Sequence, residues 1–188
     1  MKLSALRSFA LLALISAAAC SSSPVATVAL PEGMTRVSAG ALHAGDRVPV
    51  PSRSILDIKG AIGYTNSAGA LSFDMATIDR LPTIDVTLYE PFLKRRVTYR
   101  GVLLSDILSL AKMTAGAKSL HMTALDDFVM DINVDQLGAN DLVVATREEG
   151  KLMPVAKGGP TRIVFPDGAS VGKDTEKWIW SLKTVEVR

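Results

Sequence analysis

An α+β fold built on a mixed sheet is what this sequence predicts, and three observations predict it. Short β-rich runs bounded by turn residues recur along the chain, as in TIDVTLYEPF, VTYRG and TRIVFP. Only two or three stretches show helical spacing. Neither the regular strand–helix alternation of a doubly wound fold nor an internal repeat is present. With 188 residues, 48% hydrophobic and 21% charged, the chain is long enough for one domain with its own core.

The N-terminus is set apart by composition. MKLSALRSFALLALISAAAC opens with Lys2 and Arg7, continues with an apolar run and has no acidic residue. The run is shorter than the ~20 apolar residues that cross a bilayer, so residues 1–19 read as a secretory signal. Cys20 is the only cysteine. Either it is the acylated first residue of a membrane-anchored lipoprotein, or ordinary signal cleavage falls at residues 17–19. Residues 20–54, rich in Ala, Ser, Pro and Gly, read as a tether and a loosely attached entry segment. The domain proper then spans 55–188.

Its elements follow in order. SILDIKG gives a short strand and a turn. LSFDMATIDRLP gives a short helix, with Ser72 as N-cap, Asp74 in the first turn and Pro82 as stop. TIDVTLYEPF is a strand that enters a loop at Glu90, and VTYRG is another strand. In LLSDILSLAK, Leu104, Ile107, Leu108 and Ala111 recur at helical spacing. SLHMTALDDFVMDINV reads as two strands meeting near Asp126 and Asp127, with Phe128, Met130 and Ile132 on one face. DLVVATREEGK, TRIVFP and SLKTVEV supply the last strands.

Much chemistry is excluded. His43 and His121 stand far apart with no carboxylate at ligand spacing, and no HExxH occurs. There is no GxSxG, no P-loop and no GxGxxG. The chain has 21 basic and 19 acidic residues; loss of Lys2 and Arg7 with the signal leaves the charges balanced. Nucleic acid therefore has no electrostatic footprint here.

What remains is a set of small features. Both tryptophans of a chain that is only 5% aromatic lie in KDTEKWIW. In extended backbone from Lys177 onward, Trp178 and Trp180 share one face, a platform on which a flat ring can stack. KGGP, from Lys157 through Gly158 and Gly159, is a tight loop that a ligand can approach closely. Asp126–Asp127 reads as a paired-carboxylate site or as a solvated turn. Arg95, in the run KRR, reads as an anion clamp or a surface cation.

The order of YRGVLLSDIL, ALDDF, REEGKLM, KGGPTRIVFP and KWIWSLKTVEV resembles the molybdopterin-binding domain of the sulfite oxidase family, over residues 55–188. Enzymes of that family hold molybdenum through a cysteine thiolate on the segment before the aromatic-x-Gly. Here that segment is VTLYEPFLKRRVTYRG, and neither Tyr89 nor Glu90 replaces a soft thiolate. A closer resemblance is to small periplasmic PruR-type pterin-binding regulators, which share the signal, the size and the W-x-W ending. It implies a non-enzymatic protein that binds a reduced pterin without a metal. Its partner would be the periplasmic sensory domain of an inner-membrane diguanylate cyclase or phosphodiesterase, with cyclic di-GMP signalling and biofilm formation as output.

On that reading Trp178, with Trp180 second, supplies the stacking face, and Glu90 or Asp127 accepts from the amino edge. Arg95, Lys157 or the Gly158–Gly159 backbone donates, and Tyr89 borders the pocket. Two alternatives stay open: a molybdopterin-dependent oxidoreductase or redox subunit, and a structural protein with no ligand.

Overall fold

Two β-sheets carry the molecule, and their register explains most of what the sequence patterns encode. The computed structural model describes residues 30–188; the signal segment and Cys20 lie outside the described residues. The strands are β1 (Met34–Ser38), β2 (Leu56–Gly60), β3 (Ala70–Phe73), β4 (Thr83–Glu90), β5 (Arg95–Leu103) and β6 (Ser119–Ala124). They continue with β7 (Val129–Asn133), β8 (Val143–Glu148), β9 (Lys151–Leu152), β10 (Arg162–Val164) and β11 (Leu182–Val187). Two α-helices are present among the described residues, α1 (Met75–Ile78) and α2 (Leu104–Leu110).

The first sheet runs β1-β4-β5-β8-β10, with β9 added to β8, and every pairing in it is antiparallel. The second runs β3-β2-β11-β6-β7 and is mixed, because β11 lies parallel to β2. The fold is thus mostly sheet, and the α+β expectation holds only roughly. The buried faces meet in one core of aliphatic side chains, with Tyr99 and Phe73 its largest fully buried members.

β4 shows the pattern at its plainest: Ile84, Val86 and Leu88 are buried while Asp85 and Thr87 alternate outward. β5 follows in antiparallel register from Thr83↔Val102 to Glu90↔Arg95. The Gly of the Tyr99-Arg100-Gly101 run has a packing reason. A Cβ on Gly101 would run into the Val144 carbonyl oxygen, so only glycine lets β5 shift register beside β8. α2 buries Leu104, Ile107, Leu108 and Leu110, as its spacing requires.

Two expectations are corrected. Ser72 does not cap a helix; it is buried in β3 and its backbone N–H donates to Asn66 Oδ1. The cap falls to Asp74, whose carboxylate accepts from the Thr77 N–H, a bond that holds its pKa below the usual range. Nor is the whole entry segment loosely attached. β1 pairs with β4, and Leu42 and Val48 are buried, so the fold begins at least at Met34.

An aromatic cavity where three loops meet

Three connections converge at one place: the β4–β5 hairpin, the β6–β7 hairpin and the stretch leading into β11. They line a cavity of about 410 Å³ with Phe92, Asp126, Phe128, Thr175, Glu176, Trp178 and Trp180. That volume falls within the range of small-molecule sites. Phe92 stands edge-on to both indoles, with ring centroids 6.4 Å from Trp178 and 5.5 Å from Trp180.

The two tryptophans have different surroundings. Trp178 is 7% exposed, donates from Nε1 to the Gly172 carbonyl at 3.0 Å and packs against Phe165. It is a wall tied to the core. Trp180 is 40% exposed and lies across Gly158, where a Cβ would come within 3.1 Å of the indole's own Cβ. Gly158 also has φ +81°, so glycine is required twice over. Beneath the same ring sits Arg162, its guanidinium carbon 4.7 Å from the centroid.

Arg162 is 2% exposed and donates to Glu90 Oε1 at 2.9 Å; Glu90, fully buried, also accepts the Leu93 N–H on its other oxygen. The pair therefore joins the floor under Trp180 to the hairpin that carries Phe92. Tyr99 lies on the other side, its centroid 5.1 Å from the guanidinium, and burial pushes its phenol up to about 12. Among the described residues the Tyr99 hydroxyl and Arg162 Nε have no hydrogen-bond partner.

Several expected contacts fall elsewhere. Glu90 cannot accept from a ligand, since both oxygens are engaged inside the fold. Gly158 and Gly159 cannot donate, because their N–H groups already bond the Val155 and Pro154 carbonyls. Arg95 is exposed and paired with Glu148 and Glu149, and Lys157 borders a separate small cavity beside those acids. Tyr89 is 52% exposed and lines a neighbouring cavity that shares Trp178. Asp127 occupies the left-handed turn position of the β6–β7 hairpin with φ +64°; its neighbour Asp126 is the carboxylate that reaches the cavity.

Phe92, Phe128, Glu176 and Arg162 are the additions that sequence reasoning missed. The alternation through Met130 and Ile132 does place Phe128 on their side of β7, yet at the hairpin end it emerges 45% exposed. Glu176 makes no side-chain hydrogen bond or ion pair among the described residues, and Asp126 spends one oxygen on the Phe128 N–H. The cavity thus offers aromatic walls and two carboxylates, and among the described residues no lysine or arginine lines it.

This fold and its motif order define a molybdopterin-binding domain of the sulfite oxidase type. Residues 67–188 match the oxidoreductase molybdopterin binding domain, and the chain belongs to that family. Among solved structures it is similar to the sulfane dehydrogenase SoxCD from Paracoccus pantotrophus. The TM-score is 0.56 at 17% identity, over 70% of this chain and 37% of that one. The likeness is one of fold, and the chain spans little more than a third of that relative's length. No curated protein matches.

The residues present do not fit a thiolate-held molybdenum. The segment before Tyr99-Arg100-Gly101 is the β4–β5 hairpin; it has no cysteine, and its inward carboxylate, Glu90, is locked to Arg162. Among the described residues no group of three His, Cys, Asp or Glu side chains stands close enough to hold a metal ion.

Proposed function

We propose that this protein binds a reduced pterin in the aromatic cavity, without a metal, and that it is not itself an enzyme. The observation that carries the reading is the lining itself. Two partly exposed walls, Trp180 and Phe92, stand beside two carboxylates, and among the described residues no lysine or arginine lines the cavity. A pterin presents a flat π-face and, on its 2-amino and ring N–H edge, two parallel donors that one carboxylate accepts together. Asp126 or Glu176 supplies that acceptor, and Trp180 the larger exposed face.

The lack of a lining cation counts against molybdopterin. Molybdopterin carries a phosphate, and among the described residues no lysine or arginine lines this cavity to receive one. A neutral, unphosphorylated pterin meets no such penalty.

The remaining parts of the reading rest on the resemblance of motifs. The protein would act in the periplasm, anchored through Cys20 if that residue is acylated, and would report pterin to the sensory domain of an inner-membrane cyclic di-GMP enzyme. Titration of the mature chain with dihydropterin, followed by quenching of indole fluorescence, tests the binding step. Saturable quenching that Trp180→Ala shifts to higher dihydropterin concentration is the expected result; no quenching in the parent chain defeats the reading.

A second reading, a molybdopterin-dependent oxidoreductase or redox subunit, is favoured by the family match and by the enzymatic neighbour. It requires the metal to be held by something other than a thiolate of this domain. Stoichiometric molybdenum in protein purified from a cofactor-producing host would establish it.

A further inference from the structure

We propose that Arg162 sets which oxidation state of the pterin the cavity prefers, acting through the Trp180 ring; the inference rests on the pterin reading. Arg162 is buried, so it does not touch a ligand in the cavity; it is a positioning residue with an electronic effect. Its guanidinium lies 4.7 Å from the Trp180 centroid, and the exposed part of that indole lines the cavity. A cation held against one side of an indole draws π-density towards itself and leaves the other side poorer in electrons.

A polarised face of that kind stacks better on an electron-rich partner than on an electron-poor one. Dihydro- and tetrahydropterins are electron-rich, since their pyrazine ring carries added hydrogens and amino nitrogens that donate into the pyrimidine. Fully oxidised pterin is an electron-poor heteroaromatic. The arrangement therefore favours the reduced forms without any hydrogen bond to the ring that distinguishes them.

The position of the cation is fixed from three directions. Glu90 holds one guanidinium nitrogen at 2.9 Å and is itself tied to the Leu93 N–H. Tyr99 lies at 5.1 Å from the guanidinium carbon. Gly158 removes the side chain that would keep Trp180 from lying close. The Glu90–Arg162 pair also explains why so costly a buried ion pair stands directly behind the cavity wall, where two apolar side chains would fill the same space.

The test compares dissociation constants for dihydropterin and oxidised pterin within one protein, so that any general loosening of the cavity cancels in the ratio. The paired variant Glu90→Leu with Arg162→Met removes both charges while keeping volume, and it should fold. The parent chain is expected to prefer dihydropterin, and the paired variant to lose about fivefold of that preference, a typical cation–π increment. Arg162→Lys, which keeps a cation beside Glu90, should retain most of it.

If the paired variant does not fold, Arg162→Gln against Arg162→Lys gives the same comparison: glutamine loses the preference and lysine keeps it. An unchanged ratio in the variants without the cation overturns the inference and leaves pterin binding standing. A parent chain that binds neither pterin overturns both.

Discussion

Two cavities of comparable size, about 470 and about 410 Å³, differ in almost everything else. The larger lies along α2 and the loop after β7, lined by Leu104, Leu108, Met113, Leu120 and Val134 with a few serines and Lys112. Among the described residues no aromatic ring and no carboxylate lines it. The smaller is walled by four aromatic side chains and holds two acids. Volume does not separate the two. Chemistry does: the proposed flat polar heterocycle needs a ring to stack on and acceptors placed at its edge, which the second supplies.

The sharpest contrast lies beneath the smaller cavity. Removing one member of the Glu90–Arg162 pair, as in Glu90→Ala, strands a buried charge and should cost about 3–5 kcal/mol in chemical denaturation. Trp178→Ala should cost a similar ~3–5 kcal/mol, since it empties a buried, hydrogen-bonded site. Trp180→Ala should cost about 1 kcal/mol of stability, an ordinary surface-side value, while removing ~1–3 kcal/mol of stacking from ligand binding. If the two indole variants behaved alike in both assays, the division between wall and platform would be wrong.

Smaller effects sharpen the edge contacts. Asp126→Asn and Glu176→Gln, titrated separately with dihydropterin, should single out the acceptor by a loss of about 1.5–3 kcal/mol in one of them. Last comes a control on the larger cavity. Ser109→Trp places a bulky ring at its exposed mouth, and dihydropterin affinity should stay within about twofold, the ordinary reach of a distant surface change. A greater loss would move the site to the α2 groove.

How much of this was legible in the sequence depended on how local each signal is. β4, β5, α2, β8 and β11 declare themselves by alternation or helical spacing, because each buries one face. β1 gave no such signal: among its five residues only Met34 is buried, so an edge strand looks like a linker. Ser72 resembled a cap because the strand that claims it, β2, lies earlier in the chain and leaves no mark beside it.

The site was legible in part for the same reason. The W-x-W stretch is local, and both indoles do reach one cavity. Glu90 was misread as a ligand acceptor because its partner stands 72 residues away, and no spacing announces it. Gly158 was noticed for closeness to a ligand; the close neighbour is Trp180. Phe92 and Phe128 come from two hairpins in different sheets, so only the fold brings them together.

The most direct test is to release the small molecules from the mature chain, purified from a bacterial periplasm, and to measure pterin and molybdenum in the same sample. The account predicts an unphosphorylated pterin near one per chain and no stoichiometric molybdenum. A pyranopterin accompanied by molybdenum would contradict it and return the protein to the redox enzymes of its family.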